Sequence, residues 1–146
     1  MLLQRVRLLV AVLWAGSLWT VGYLVAPTLF ATLSDRVLAG TIAGSMFHVQ
    51  AMLSLGCGLA MMVLLWLATP DWRSARRRKV LAIVAGMLLC TVVVHFGLQP
   101  MMAELRAAGL ADEAVKSRFG MLHGVSSVIY LAGSLLAVWL VSSVAD

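Results

Sequence analysis

The sequence predicts an all-α integral membrane protein that folds as an antiparallel bundle of four transmembrane helices. Three observations support this fold class. Hydrophobic residues make up 62% of the 146-residue chain and charged residues only 12%, where a soluble domain has about 25% charged residues. The mean hydropathy is +1.00. The charged residues are confined to short segments, which leaves four charge-free stretches at 8–34, 37–70, 80–103 and 119–145.

Each charge-free stretch is long enough to cross a bilayer once. The stretches contain 24 to 34 residues, whereas about 20 apolar residues, rising 1.5 Å each, cross a hydrocarbon core of ~30 Å. We therefore predict helices at about 5–32, 35–69, 78–108 and 112–143, within a single domain of residues 1–146.

The first two helices are separated by a short polar junction. The first apolar stretch reaches Ser34, which is too long for the ~7–15 apolar residues of a cleaved secretory signal, so we expect this helix to be retained. Ser34 and Asp35 are both favoured at a helix N-cap. The second helix would then be about 50 Å long at 1.5 Å per residue. It must therefore tilt, bend near Gly56 and Gly58, or project from the bilayer.

The last two helices are delimited by a proline, a glycine and an aspartate. Pro100 lacks a backbone N–H and is expected to kink the third helix near its end. Gly109 is the expected C-terminal residue of that helix, and Asp112 is the expected N-cap of the fourth. Short connections of this kind place successive helices antiparallel in a four-helix bundle.

The basic residues are divided unequally between the two ends of the predicted bundle. Seven lie at the end that holds both termini and the second connection, and four lie at the other end. With the acidic residues included, the net charge is +5 at the first end and zero at the second. Because basic residues remain on the cytoplasmic side, we expect a multi-pass protein of the bacterial inner membrane with both termini in the cytoplasm.

A cluster of five basic residues lies between the second and third spans, at Arg73, Arg76, Arg77, Arg78 and Lys79. The cluster indicates topology, and it also suits anionic lipid headgroups, at about 1 kcal/mol per basic residue near such a surface. The isoelectric point near 10.0 does not indicate nucleic-acid binding, since that needs basic residues on one accessible face. We expect the lipid bilayer to be the partner of this cluster.

Four glycines are predicted to be positions of helix packing. Gly40 and Gly44 are four residues apart on the second helix, Gly16 lies on a face of the first helix, and Gly124 follows the start of the fourth. Helices in lipid associate through close contact over small residues. The alternative interpretation of these glycines is that they line a path for a substrate.

Polar residues at membrane depth are the candidate ligand-binding residues. Two polar stripes on the third and fourth helices and one histidine on the second all belong to the non-cytoplasmic half of the predicted bundle. Such side chains point inward because an unsatisfied polar group in lipid is costly, so they predict a pocket that opens to the outside. The candidates are His48, His95, Gln99, His123, Ser126, Ser127 and Tyr130.

The three histidines are also candidate metal ligands. Imidazoles from different helices can hold haem or copper, and His48, His95 and His123 fall at similar depth along their helices. Nine methionines add soft thioether groups, although methionine also fills gaps in apolar cores. The alternative is that the histidines form hydrogen bonds near helix ends and hold no metal.

Five short segments follow a known pattern: Trp14-Ala-Gly16, Pro27-Thr-Leu-Phe30, Ala39-Gly40, Leu98-Gln-Pro100 and Phe119-Gly-Met-Leu-His123-Gly124-Val-Ser126-Ser127. Together they resemble the transmembrane protein 205-like family, whose bacterial members are catalogued as a domain of unknown function. The most specific element is the His-Gly-x-Ser start of the fourth helix. Tyr130 departs from the pattern, in which asparagine is expected. The resemblance implies a four-helix membrane protein with no settled activity among bacterial members.

Three hypotheses about function follow from these residues. The first is a module that binds or transports a small molecule or ion in the non-cytoplasmic half. The second is a haem- or copper-dependent redox protein, and the third is an accessory or scaffold subunit that docks a membrane partner or a second copy of the chain. The sequence contains no nucleophile with a base, no phosphate loop and no paired intramembrane carboxylates, so common hydrolase and transferase chemistry has no support, and a function other than that of an enzyme is favoured.

Overall fold

The computed structural model describes residues 2–68 and 74–145, and these residues form helices joined by short turns, with no strand among them. The four long helices are α1 (Leu2–Thr32), α2 (Arg36–Ala68), α3 (Ala75–Ala108) and α4 (Glu113–Ala145). Each is long and apolar enough to cross a bilayer. The predicted all-α bundle of four spans is confirmed, and the protein is a multi-pass integral membrane protein.

The helix ends follow the predicted capping residues. The Asp35 carboxylate accepts a hydrogen bond from the Leu38 N–H at 3.0 Å, and the Asp112 carboxylate accepts one from the Ala114 N–H at 2.8 Å. Gly109 ends α3 with a φ of +93°, a left-handed conformation that glycine adopts without a steric penalty. The α3 helix begins at Ala75 rather than near 78, because the Ser74 hydroxyl caps it.

Two helices contain a wide turn next to a proline. The segments Thr20–Val25 in α1 and Val93–Leu98 in α3 are π-helical, and the backbone N–H that follows each segment bonds the carbonyl five residues earlier. Pro27 and Pro100 lie just beyond these turns. The predicted disturbance at Pro100 takes the form of a π turn, which accommodates one extra residue. The α2 helix is continuous over its 33 residues.

The four helices form a closed ring in which α1 packs on α2 and α4, and α3 packs on the same two helices. We call the half nearest the chain termini the closed half and the half nearest the α1–α2 and α3–α4 connections the open half. The closed half holds the main apolar cluster: Ala11, Trp14, Ala15, Leu18, Cys57, Met61, Leu65, Val80, Ile83, Val84, Met87, Ala137, Leu140 and Val144.

A buried polar group joins α1 to α2 within this core. The Trp14 indole N–H donates to the Ser54 hydroxyl oxygen at 2.9 Å, and the Gln50 amide donates to the same oxygen at 2.6 Å. All three side chains are at least 95% buried. The Ser54 oxygen therefore satisfies two donors that lipid and apolar side chains cannot satisfy.

Tyr130 joins α4 to α1 at the boundary between the two halves. Its hydroxyl donates to the Leu18 carbonyl at 2.7 Å. Its ring lies directly over Gly22 in the π turn, where a Cβ atom would overlap the ring edge. Edge-on contacts with Phe47 at 5.4 Å and Tyr23 at 6.1 Å between ring centroids surround the same ring, so the ring has little freedom to move.

The Ser54→Ala variant is expected to lower the free energy of unfolding by about 1–3 kcal/mol, since it leaves two buried donors without an acceptor. The matched control is Ser45→Ala on the same helix, because the exposed Ser45 hydroxyl bonds only the carbonyl four residues earlier. Thermal unfolding of both variants in one detergent measures the difference. Equal stability of the two variants would contradict the assigned role of Ser54.

The Gly22→Ala variant is expected to lower the free energy of unfolding by about 1–3 kcal/mol, the usual cost of an overpacked site. Gly16→Ala is the control, because no described atom other than its own neighbours lies within 4 Å of a Cβ at Gly16. That control is expected to keep or raise stability, by up to about 1 kcal/mol. A Gly22→Ala protein as stable as Gly16→Ala would show that Tyr130 moves freely.

Candidate functional site

Two connected cavities lie in the open half of the bundle. One, of about 440 Å³, lies between α1 and α4, and the other, of about 400 Å³, lies among α2, α3 and α4. Both volumes are within the ~300–1,000 Å³ of small-molecule sites. We treat them as one open-half cavity because they share five lining residues: Phe30, Phe47, Gln99, Met102 and His123.

The open-half cavity exists because the last segment of α1 follows α2. The segment Ala26–Thr32, beyond the π turn, packs against α2, and the larger lobe of the cavity lies between that segment and α4. Tyr23 and Leu131 flank this lobe, and each is 50% exposed. The Tyr23 hydroxyl donates to the Ser134 hydroxyl of α4 at 3.0 Å, so the larger lobe opens between α1 and α4 beyond this bond, at the surface that faces lipid.

Tyr130 forms the floor of the open-half cavity. Below Phe47 and Gln99 the space narrows to a recess of about 40 Å³ that Tyr130, Met87 and Cys90 also line. The hydrogen bond from Tyr130 to Leu18 closes the bundle beneath the recess. The cavity is therefore continuous with the open end of the bundle and stops at the closed half.

Aromatic and basic side chains meet at the outer end of the cavity. The Arg106 guanidinium lies 5.5 Å from the centre of the Phe119 ring, within the range of a cation–π contact. The His123 ring is nearly parallel to Phe119, with an interplanar angle of 4° and 6.2 Å between centroids. Arg36 lines the same lobe from the first turn of α2.

The polar side chains of the cavity have unused hydrogen-bonding capacity. Within residues 2–68 and 74–145, the side chains of the cavity that form no hydrogen bond include those of Gln99, His123, Arg36 and Arg106. The Ser127 hydroxyl, in contrast, donates to the His123 carbonyl at 2.8 Å. The unused donors are available to a ligand or to water.

The structure brings five of the seven candidate ligand-binding residues to the cavity and places two elsewhere. Gln99, His123, Ser126, Ser127 and Tyr130 line it. His48 and His95 contact each other instead, with 3.1 Å between His48 Nδ1 and His95 Nε2. His48 is exposed, and His95 borders only the narrow recess.

The three histidines thus form one pair and one separate residue. Among the described residues, no three His, Cys, Asp or Glu side chains are grouped so as to hold one metal ion. The His48–His95 pair also does not fit haem in this arrangement, because an iron between two imidazoles separates their nitrogens by about 4 Å, twice a metal–nitrogen bond of ~2 Å. A bond of 3.1 Å is instead a hydrogen bond, for which one ring donates and the other accepts.

Three of the four predicted packing glycines face open space rather than neighbouring helices. In the described part of the chain, no atom beyond their own surroundings lies within 4 Å of a Cβ at Gly16, Gly44 or Gly124. At Gly40 the nearest atoms belong to the side chains of Arg106 and Phe30, at 3.9 Å. Gly40 and Gly44 line the cavity, which agrees with the alternative interpretation that they border a path for a ligand.

The basic cluster lies at the closed end, on the first turns of α3. Arg76 donates to the Ser143 carbonyl at 3.3 Å, and the Lys79 ammonium lies 5.1 Å from the Trp139 ring centre. Arg77 is buried, Arg78 is exposed, and the predicted position at Arg73 lies outside the described residues. A pocket of about 280 Å³ at this end is lined by Arg7, Arg76, Arg77 and Ser143, among others.

Several residues of the cavity were not predicted from the sequence to line a pocket, although Phe30 and Phe119 lie in two of the family-like segments. Phe30, Phe47, Met102 and Phe119 belong to apolar stretches in which lipid-facing and cavity-facing side chains are chemically alike. Arg106 had a signal, a cation in the last turn of its helix, but that position equally suits the helix dipole. The packing of the helices, and not the position of Arg106 in the sequence, shows that this side chain lines the cavity.

The comparisons with known proteins identify a family for this chain but indicate no activity. Neither the comparison with curated proteins nor that with solved structures finds a match. A family model described as Domain of unknown function (DUF4149) matches residues 9–111, which include the α1 and α3 walls of the cavity and end before His123. Because the match covers more than half of the chain, this four-helix membrane protein belongs to the DUF4149 family.

Proposed function

We propose that this protein binds a small, membrane-soluble molecule in the open-half cavity. The observation that carries the proposal is the contrast between the two halves of one bundle. The closed half is densely packed around Trp14, Met61 and Leu140, whereas the open half keeps lobes of about 400 and 440 Å³. Helices in lipid are held together largely by packing contacts, so an unfilled space of this size is a site for another molecule.

The chemistry of the cavity supports binding rather than catalysis. Its walls are mainly aromatic and aliphatic, and its charged groups, the two arginines, lie with His123 toward one end, while Gln99, Ser126 and Ser127 line the space further in. Ligand sites commonly combine apolar walls with a small number of polar groups that fix orientation. The arrangement contains no pair of groups that acts as nucleophile and base, so binding or transport is the function that it supports.

The proposal includes an orientation. The excess of basic residues at the closed end favours placing that end in the cytoplasm of a bacterial inner membrane, so the cavity faces the non-cytoplasmic half of the bilayer. The Arg7, Arg76 and Arg77 pocket then lies at the depth of anionic headgroups and suits their phosphates. Membership of the transmembrane protein 205-like group, which the His123-Gly-x-Ser segment favours, is part of the same proposal.

The contact between His48 and His95 favours a second candidate function, copper binding. The two rings come from α2 and α3 and are 5.0 Å apart between centroids. Imidazole is a suitable ligand for copper, and an ion bound between the two nitrogens replaces their 3.1 Å hydrogen bond only if the rings move apart to about 4 Å. The pair lies apart from His123, so this function is independent of the open-half cavity.

The cavity proposal predicts the labelling pattern of a hexadecanol that carries a photoactivatable diazirine. In the wild type, the probe is expected to label Met102, which is 3% exposed and lines the cavity. The Gly44→Leu variant places a side chain in open space inside the cavity and is expected to reduce that labelling about tenfold, equivalent to ~1.4 kcal/mol of binding. Mass spectrometry of the labelled peptides measures the change.

The matched control for that experiment is Gly56→Leu on the same helix. Gly56 is exposed and also has open space around it, but it does not line the cavity. Labelling of Met102 should therefore stay at the wild-type level in this variant. If the probe labels only lipid-facing residues such as Val128, which is 68% exposed, the cavity is not a binding site.

Copper binding predicts one Cu(I) ion per chain after reconstitution and desalting. The His95→Ala variant is expected to lose that ion, and His123→Ala, the control, is expected to retain it, since His123 is not part of the pair. Metal analysis of the purified proteins gives the stoichiometry. A wild type that retains no copper, or a His95→Ala protein that retains it fully, rules out this second function.

A further inference from the structure

Two arginines reach the same lobe of the open-half cavity from different helices. Arg36 lies on the first turn of α2, and Gly40 follows it one turn later on the same face. The Arg106 guanidinium carbon, from the last turn of α3, lies 3.9 Å from the position of a Cβ at Gly40. Arg106 and Arg36 therefore line one wall of the cavity beside Gly40.

The acidic residues of the open half are engaged elsewhere. Asp35 and Asp112 cap helices α2 and α4, and Glu113 pairs with Lys116 at 3.4 Å. Glu104 is exposed. Across residues 2–68 and 74–145, the Lys116–Glu113 pair is the only salt bridge, so neither cavity arginine forms a salt bridge with a carboxylate in this part of the chain.

A guanidinium recognises a carboxylate or a phosphate through two parallel, charge-assisted hydrogen bonds. Two such groups beside one cavity, with the His123 ring next to them, form a cationic end that favours an anion. Arg36 is exposed, whereas Arg106 is partly buried beside Phe119, so the attraction of Arg106 for an anion is screened less than in water. Charge complementarity therefore selects a ligand with a negatively charged head.

The rest of the cavity is suited to an apolar chain. From Phe119 at the cationic end to Leu131 at the far end, α4 advances twelve residues, or about 18 Å at 1.5 Å per residue. Phe30, Phe47 and Met102 line the space between these two ends. This length and these walls match an extended acyl chain rather than a compact polar solute.

The opening of the cavity identifies where such a molecule comes from. The larger lobe opens between α1 and α4 beside the exposed Tyr23 and Leu131. These side chains face the hydrocarbon region, so a molecule dissolved in the bilayer enters without crossing water. We infer that the ligand is a single-chain lipid anion taken from the membrane, with its head bound by Arg36 and Arg106 and its chain along Phe47 toward Tyr130. This inference rests on the proposed function and specifies its substrate class.

Competition against the diazirine hexadecanol tests the inference on the wild-type protein in detergent. Oleate is expected to protect Met102 from labelling at about tenfold lower concentration than oleyl alcohol, which has the same chain and no charge. Inorganic phosphate, an anion without a chain, is expected to give no protection. These three competitors need no variant, so the result does not depend on the folding of a mutant.

Arginine variants identify the groups responsible for the preference. Arg106→Gln and Arg36→Gln are each expected to weaken protection by oleate about tenfold while leaving protection by oleyl alcohol unchanged. Arg118→Gln is the matched control, because Arg118 is exposed at the same end of the bundle and does not line the cavity. It should bind oleate as the wild type does.

The outcomes distinguish this inference from the proposed function. Equal protection by oleate and oleyl alcohol overturns the lipid anion and leaves the cavity as a binding site for neutral molecules. If inorganic phosphate protects Met102 from labelling, the ligand needs no acyl chain, and the inference of a lipid anion is overturned. If the probe does not label Met102 and neither oleate nor oleyl alcohol changes the labelling pattern, the proposed function itself is overturned.

Discussion

The hydrogen bond from the Tyr130 hydroxyl to the Leu18 carbonyl, with the Tyr130 ring over Gly22, is the contact on which the architecture depends. On one side of it α1 and α4 are in close contact, and the apolar cluster fills the bundle. On the other side the π turn has altered the course of α1, whose last segment follows α2 and leaves α4. One aromatic side chain therefore both ties the two helices together and forms the floor of the space between them.

The contacts that join the helices are hydrogen bonds or very close approaches because the bundle lies in a bilayer. Lipid provides no hydrophobic drive for helix association, so the bundle depends on hydrogen bonds such as that between Trp14 and Ser54 and on close approach of the helices. The open half instead keeps unfilled space between α1 and α4. Its unpaired donors and unfilled volume are unfavourable for a bundle that only needs to be stable, and a bound amphipathic molecule would supply both the packing and the acceptors.

The sequence predicts the spans and most helix ends because charge-free stretches and capping residues act locally, as at Asp35 and Gly109. It also predicts His123 and Gln99 as pocket residues, since inward-facing polar stripes can be recognised by helical spacing. It does not predict the π turns, which are decided by how the chain accommodates Pro27 and Pro100 against neighbouring helices. Nor does it predict that Arg106 enters the cavity, because that depends on how the end of α3 packs beside α2.

The central claim is that the open-half cavity holds a lipid anion in the native membrane. A high-resolution structure of the protein crystallised in a lipidic mesophase without added ligand tests it most directly. We expect elongated non-protein density between α1 and α4, running past Phe47 and ending within hydrogen-bonding distance of the Arg106 guanidinium. Closure of α1 onto α4, with side chains filling the space between Tyr130 and His123, would contradict it.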